Sequence, residues 1–570
     1  MALRLPKTVE TPSSQHAGVT RRTFLKSASV AAGTAAVAST AVPAATAARG
    51  GSSAFVHSVA SGDPLPDRVI LWTRVTPHAR ATPGSGLGDP TTLRWEVARD
   101  NAFGSVVASG NVATSAQRDH TVKVDAAGLA PATRYFYRFT VLDGPAAGAV
   151  SPVGRTKTAP ANSAAIDRLR FGVCSCSNYE AGHFISYRAM ADRDDIDFVL
   201  HLGDYTYEYE SGGYAGAFGE TVRRVEPPHA TVTLADYRIR QGKYHRDPDL
   251  ARAHAAHPFI CMWDDHESAN DSYKDGAENH NPRTQGSWAA RKRASTQAYF
   301  EWMPVRPNSL ENGEHLYRRL RFGTLTELII PDLRSYRDKQ SSTRVDDPAQ
   351  SITGAEQYTW LETSVTTSST RWQVIGSEVM MVPLTIPEST DPRLADWLHE
   401  KAGLPQDGIP VNSDQWDGYA AERRQLLSAI DRAGKRNVVL VAGDIHSSWA
   451  SELPLNVPHY GRDRSGRTVA CEFTVPSITA ASPHDTIAVN RALDAPTAAV
   501  LSAGQEAIKL ANPWIKDVEL TRHGFGVMTV TTARATMEWF YVDDVLDPRS
   551  TARRAFGWST RAGNPKLIRA

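Results

Sequence analysis

Short apolar runs that each break off into a cluster of acidic, histidine or cysteine residues are the feature that most restricts how this chain can fold. Phe171-Gly-Val-Cys-Ser-Cys176 closes one run and Leu202-Gly-Asp204-Tyr-Thr-Tyr207 the next. Trp263-Asp264-Asp265-His266-Glu267, Pro331-Asp332-Leu-Arg334 and Ala442-Gly443-Asp444-Ile-His446 close three more. Apolar runs too short for helices, alternating with stretches of helical period, predict buried strands of an α/β sheet. Strands are expected at Leu169–Val173, Ile196–Leu202, Phe259–Trp263, Leu325–Ile330, Trp372–Ile375, Val438–Val441 and Cys471–Val475, with helices at Tyr187–Arg193, Ala289–Met303 and Ala420–Ala433. Gly526–Thr531 and Ala535–Val542 read as a closing hairpin. Every polar cluster then falls at a strand's carboxyl end, the edge where open α/β sheets bind ligands.

Upstream the pattern is different. Phe55–Ala60, Arg68–Val75, Leu93–Val97, Thr121–Val124 and Arg134–Leu142 are short strands between turn residues, the mark of a β-sandwich. Leu129-Ala-Pro-Ala-Thr-Arg-Tyr135 resembles the strand entry of fibronectin type III domains, where a tyrosine anchors a corner. The expected organisation is a signal segment at 1–47, an all-β fibronectin- or immunoglobulin-like sandwich at 50–158, a linker at 159–168, an α/β catalytic domain at 169–545 and a tail at 546–570.

Lysine plus arginine number 63 against 62 aspartate plus glutamate, so no global field favours nucleic acid. Four cysteines are too few for a disulfide framework in 570 residues. Thr20-Arg21-Arg22-Thr23-Phe24-Leu25-Lys26, a weakly apolar Ala/Ser/Thr stretch and Ala45-Thr46-Ala47 look like a twin-arginine signal with its cleavage site. The stretch is too polar for a permanent span. The expectation is a free, monomeric, extracellular protein that partners the twin-arginine machinery during export, with retention at the cell wall as an alternative.

Asp, His, Tyr and Cys donors around one site mix hard anions with a soft thiolate. Such a set suits iron or zinc at one position and a harder cation at another, and a phenolate favours ferric iron. Paired cations are what phosphoryl hydrolysis needs. A Cys174–Cys176 disulfide would close a strained ring, so Cys174 is expected to be buried and Cys176 to be a ligand. His266, beside two carboxylates, reads as a proton donor to a leaving alcohol or a phosphate contact, and Arg334 as a bidentate phosphate contact or an ion-pair partner of Asp332. Asp444 and His446 share a face if their strand continues. Asp264, Asp271 and His523 are possible further metal or substrate contacts. Tyr237, Arg238 and Tyr244 could shape the entrance or simply pack, and Lys516, like His523, could cap the site from a late loop but reads more readily as a solvated turn residue.

Together these motifs, in this order, resemble the alkaline phosphatase D family of the calcineurin-like metallophosphoesterase superfamily, which includes a phospholipase D lacking the double-histidine motif of other such enzymes. The resemblance covers most of the chain, the sandwich included. It implies two packed mixed sheets flanked by helices, ferric iron held by Cys176, Asp204, Tyr207 and His446, and one or two calcium ions held by residues including Asp265, Asn270 and Asp444, with Asp204 bridging. Ser268-Ala-Asn270-Asp271 stands where relatives carry paired asparagines, leaving Asn270 and Asp271 as alternative ligands. The implied activity is hydrolysis of phosphoric mono- or diesters by a metal-bound hydroxide. Headgroup release from phospholipids is the nearest alternative, with Trp514, Phe525 and the tyrosines of Tyr205–Tyr214 as an apolar entrance. A non-catalytic calcium-binding or adhesion protein is the alternative of another class.

Overall fold

The structure, a computed structural model of the chain, is described for residues 53–214, 216, 219–306, 315–387, 392–460, 467–487 and 495–570. The expected signal at 1–47 lies outside the described residues. Two mixed sheets face each other. The first has ten strands, running from Asn564–Arg569 at one edge through Ala552–Arg561, Arg534–Val542, Gly524–Thr531, Arg168–Cys174, Phe198–His201, Pro258–Cys261, Val59–Gly62 and Arg68–Arg74 to Thr121–Ala127. The second has seven: Arg318–Phe322, Thr326–Ile330, Trp372–Ser377, Val438–Ala442, Thr468–Thr474, Ser448–Pro454 and Ile515–Glu519.

Alternation of side chains explains the packing. Val439 and Val441 join Phe171, Val173 and Leu200 in the core between the sheets, while Val438, Leu440 and Ala442 face a second core under the helices Ala355–Thr367 and Ala420–Arg432. Strands buried on both faces read as continuous apolar runs, which is how they were visible in the sequence. A Cβ on Gly376 would meet Leu202 and Leu200 of the facing sheet at 3.3 and 3.4 Å. Register then levels the strand ends: Cys174 lies opposite His201, and His201 opposite Cys261. Ser377, Ala442 and Thr474 are level in the second sheet. Two rows of loops therefore leave one edge at the same height.

The sandwich is real, but one of its two sheets is the catalytic sheet. Val59–Gly62 pairs in parallel with Pro258–Cys261, so that strand, Arg68–Arg74 and Thr121–Ala127 continue the ten-stranded sheet. A separate four-stranded sheet, Val106–Thr114, Thr91–Ala98, Arg134–Val141 and Gly154–Lys157, covers them over a core of Leu71, Val122, Leu93, Val97 and Phe139. Tyr135 is buried and its hydroxyl accepts from Ala130 N at 2.8 Å, the tyrosine corner expected from the sequence. The join is polar as well as apolar: Asp63 takes Arg318 at 2.8 Å and Arg306 N at 2.8 Å, and Trp72 Nε1 donates to Glu301 O at 2.8 Å.

The expected tail at 546–570 is corrected: Ala552–Arg561 and Asn564–Arg569 extend the first sheet from its hairpin. Their alternation is broken by exposed arginines, so the period-2 signal is weak. Helices flank the sheets where caps permit. Asp247 accepts from Asp249 N and Leu250 N ahead of Pro248 at the first helical position, and Ser287 caps Trp288–Trp302.

Candidate metal centre at the strand ends

The turns that follow the level strand ends hold their polar residues in an unusual backbone conformation. Cys176, Asp204, Asp271, Asp444 and His446 all have positive φ, between 52° and 65°. Non-glycine residues adopt this region at a cost and cluster there at functional sites. The expected i, i+2 geometry for Asp444 and His446 is corrected, because the strand stops at Ala442. It is the two left-handed turns, not a continued strand, that bring these residues to the site. Gly203, at φ 100°, lies so close to Asp264 that a Cβ would meet its Cβ at 2.4 Å.

Asp204 is the centre of the arrangement. Its carboxylate belongs to three groups whose ligand atoms all lie within 4.8 Å of one another: with Cys176 and His446; with Asp265 and His266; and with Asp264, Asp265 and Asp444. All of these residues are buried. Tyr207 Oη donates to Asp204 Oδ2 at 2.9 Å and lies 3.4 Å from His446 Nε2. His446 Nδ1 is 2.9 Å from Ala481 O, so it carries the proton and leaves Nε2 to face Asp204 and Tyr207. Cys176, Tyr207 and Ala480 form a small apolar cluster around the thiol.

Carboxylates crowd the other side. Arg334 is buried among them: Nε pairs with Asp264, Nη1 with both oxygens of Asp414 at 2.9 Å, and Nη2 with Asp444 at 3.3 Å and Asp265 at 3.6 Å. The alternative that the Arg334 guanidinium pairs with Asp332 is therefore corrected. Its donors are engaged by four aspartates, and Asp332 caps its backbone N–H instead, at 3.1 Å. Burial and the neighbouring Asp265 and Asp204 hold Asp264 well above the usual carboxylate range against the pull of Arg334. Burial, Asp414 and Asp265 do the same for Asp271. Asp264 Oδ2 and Asp271 Oδ1 are buried and accept no hydrogen bond. Orphaned anionic oxygens and raised carboxyl pKa values are what a site short of positive charge shows, and hard cations with oxygen ligands fit it.

Asn270 Nδ2 donates to Glu278 at 2.6 Å, a bond that does not use its amide oxygen, and Asp271 N donates to Asp265 Oδ2 at 2.6 Å. His266 Nδ1 meets Glu208 Oε2 at 2.7 Å. Burial opposes charge on this ring, but Asp265, Asp204 and Glu208 outweigh it and hold its pKa well above the ordinary value. His523 contacts none of the candidate ligands; its ring nitrogens are 3.0 Å from Ser477 Oγ and 2.7 Å from Asp485 Oδ2. Cys174 is buried, as expected.

The expected apolar entrance is partly corrected. Trp514, Phe525 and Tyr205 are core residues, 3%, 1% and 0% exposed. Half-buried Tyr209 and Tyr214 do stack beside the site, 5.2 Å apart, with His266 5.5 and 6.1 Å away. Tyr237, Arg238, Tyr244 and Lys516 are held by packing and ion pairs: Tyr237 donates to Ser268 O, Arg238 grips Glu301, Tyr244 is fully buried and Lys516 reaches Tyr460.

Sequence reasoning missed several supporting residues. Glu267 accepts from Tyr205 N, Asp204 N and Asp264 N at 2.6, 3.1 and 2.8 Å, clamping two ligand loops together. Burial, then Asp204, pushes its pKa up to about 8. Glu267 stands inside a quoted motif and Glu208 directly follows another, so their position was the available signal. Asp414 and Gln415 had none, since only the two-residue strand Ile409–Pro410 precedes them, and Arg337 lies three residues beyond the Asp332–Arg334 motif; yet Gln415 Nε2 donates to Asp444 and Arg337 Nη2 meets Asp414 at 2.7 Å.

Comparison with known proteins bears on this arrangement directly. The PhoD-like phosphatase family model matches residues 171–539, and the model for the family's N-terminal domain matches 39–160. Alkaline phosphatase D of Bacillus subtilis (strain 168) is 35% identical over 438 residues, 75% of this chain and 69% of that protein. A solved structure of PhoD superposes with a TM-score of 0.78 at 30% identity, over 92% of this chain and 93% of the other. Purple acid phosphatase PPD1 from yellow lupin shares the fold at 12% identity, with a TM-score of 0.51 over 87% of this chain and 73% of its own. Taken with the strand-end cluster, these matches show that the chain belongs to the PhoD-like phosphatase family and is a phosphoric-ester hydrolase.

Proposed function

We propose that this chain is a secreted, metal-dependent phosphomonoesterase and phosphodiesterase of alkaline phosphatase D type. The observation that carries the reading is the sharing of Asp204 among three groups of potential ligands within 4.8 Å, one containing a thiolate and an imidazole, another only carboxylates. Cys176, Asp204, Tyr207 and His446 would hold ferric iron. Asp265 and Asp444 would hold calcium, with Asp204 common to both and Asp264 in reach. Asp271, with an orphaned oxygen, and Asn270, through its amide oxygen, are the alternative further ligands. Such cations lower the pKa of a water and offset charge on the phosphoryl oxygens.

The chain's own residues do the rest. Glu208 holds Nδ1 of His266, which leaves Nε2 as the atom able to deliver a proton to the departing alkoxide. Glu267 fixes the turns that carry Asp204 and Asp264. Arg334 gathers Asp264, Asp265, Asp414 and Asp444 and offsets their mutual repulsion. Phospholipase D-type cleavage of lipid headgroups is a second reading, favoured by the half-buried Tyr209–Tyr214 stack beside His266, which offers a wall for a second ester substituent.

The test is a side-by-side assay of the iron- and calcium-replete protein on p-nitrophenyl phosphate, bis-p-nitrophenyl phosphate and phosphatidylcholine, each with and without chelator. Chelator-sensitive turnover of the monoester and diester is expected. Faster turnover of phosphatidylcholine would move the assignment to the second reading, and turnover indifferent to chelator would refute metal dependence. No helix among the described residues is long and apolar enough to cross a membrane. Export follows from the Arg21-Arg22 motif, and replacing both by lysine should strand the protein inside the cell.

A further inference from the structure

We infer that His523 and Asp485 are positioning residues for Cys176 and His446, acting through the loop between them. The inference rests on the metal reading above and assigns that site a support outside its ligands. His523 stands at the turn into the strand Gly524–Thr531, pinned by Val542 N donating to its carbonyl at 2.9 Å and by Gly524 N donating to Ser477 O at 3.0 Å. From this fixed point the ring reaches Ser477 Oγ at 3.0 Å and Asp485 Oδ2 at 2.7 Å, the two ends of the loop. Asp485 Oδ2 also accepts from Ser482 N and Ser482 Oγ at 2.8 and 2.9 Å, and Ser477 Oγ donates to Ala480 O at 2.5 Å. All of these side chains are buried.

What the loop then holds is the soft side of the candidate centre. Ile478 N donates to Ser175 O at 3.0 Å, and Thr479 N and Ala480 N donate to Cys176 O at 3.3 and 3.2 Å. Two donors on one carbonyl fix the strained residue whose φ is 61°. One residue later, Ala481 O accepts from His446 Nδ1 at 2.9 Å and so decides which ring nitrogen is left for a ligand. A shift of this loop would disturb both residues at once. Asp264 and Asp265 are carried by a different turn, the one after Pro258–Cys261, so the effect should fall first on Cys176 and His446.

The experiment measures affinity for ferric iron by chelator competition, and calcium affinity by titration, on folded His523→Ala, His523→Gln and Asp485→Asn proteins, with Cys176→Ser as the reference. His523→Ala is expected to weaken iron about 10–100-fold, the usual cost of removing a ligand's support, with calcium affinity unchanged. His523→Gln, which can still donate to Asp485, recovers part of the loss. Should His523→Ala fail to fold, Asp485→Asn, which keeps the volume, carries the same expectation. Unchanged iron affinity in folded variants, or an equal loss of both cations, overturns the inference. If Cys176→Ser also leaves iron binding intact, the metal reading itself has failed and the inference falls with it.

Discussion

The two sides of the candidate centre reach the same buried strand edge by opposite means. On the side of Cys176, Tyr207 and His446, backbone carbonyls and hydroxyls hold each group and fixed charges are few: Ala481 O orients His446, and the loop 475–485 braces Cys176. On the side of Asp264, Asp265 and Asp444, charge dominates, and the buried guanidinium of Arg334 already neutralises part of it. Under the proposed function, the first arrangement would select an ion by ligand type and direction. The second would select by charge and tolerate movement, as oxygen-bound cations do. Asp204 is the residue the two sides share.

Removing the shared residue should therefore do most damage. Asp204→Asn is expected to cut turnover at least 10³-fold, beyond the roughly 10²–10³ seen on losing one preorganised donor, and to lower both metal contents in elemental analysis. An Asp204→Asn protein that lost only one metal would show the sides to be independent. Arg334→Gln acts on one side alone. It leaves buried carboxylates uncompensated, a loss of about 3–5 kcal/mol, so denaturant unfolding should show a large destabilisation in chelator that added calcium partly reverses. Iron content should hold. Destabilisation indifferent to calcium would deny that Arg334 and a cation serve the same carboxylates.

The same contrast decided what could be read from the sequence. Candidate ligands that follow directly on a buried strand were legible, because an apolar run ending in Asp or Cys marks both the strand and its edge. Cys176, Asp204, Asp264, Asp265 and Asp444 are candidates of that kind, and the structure brings them together at the edge of the sheets they belong to. Asp414 and Gln415 come from a loop preceded only by the two-residue strand Ile409–Pro410, too short to leave an apolar run, and reach the site through the ion pair to Arg334 and the bond to Asp444. The fusion of the sandwich to the catalytic sheet was equally hidden. The pairing of Val59–Gly62 with Pro258–Cys261 joins residues about two hundred positions apart, and each strand's own pattern is satisfied with or without the other. Arg334 was legible at the strand edge but its aspartate partners were not, since a guanidinium serves phosphate or carboxylate equally well.

His266 sharpens the comparison at the level of rate. It sits against the carboxylate side and the Tyr209–Tyr214 stack, and its partner Glu208 belongs to neither metal group. His266→Gln should lower kcat about 10²-fold, the low end for loss of a proton donor, while both metals stay bound. The defect should shrink for substrates whose leaving group needs no proton, such as p-nitrophenolate, relative to an alkyl ester. An equal defect on both would mean that His266 binds phosphate instead.

The smallest effect per group concerns what stands behind the Asp204 turn. His201 Nδ1 lies 3.3 Å from Gly203 N, and His254 Nε2 lies 2.9 Å from Tyr205 Oη, so two imidazoles flank the turn without touching a ligand. Burial pushes His201 and His254 down from 6.5 to about 3, and His257, nearby on Met190 O, to about 4. A histidine with a depressed folded pKa contributes stability that is present above 6.5 and lost as pH falls toward the folded value, because the unfolded chain takes up the proton first. Each such group should cost about 1.4 kcal/mol per pH unit below 6.5. The raised carboxyls of Glu267, Asp264 and Asp271 act in the opposite sense over this range, so the histidine contribution is read as a difference between variants. Unfolding free energy followed by denaturant titration should fall more steeply from pH 6.5 to pH 4 in the parent protein than in His254→Gln, which has no group to protonate there. Because these rings support the turn rather than bind an ion, the difference should be the same with and without chelator; an identical slope in His254→Gln would trace the acid sensitivity to other groups.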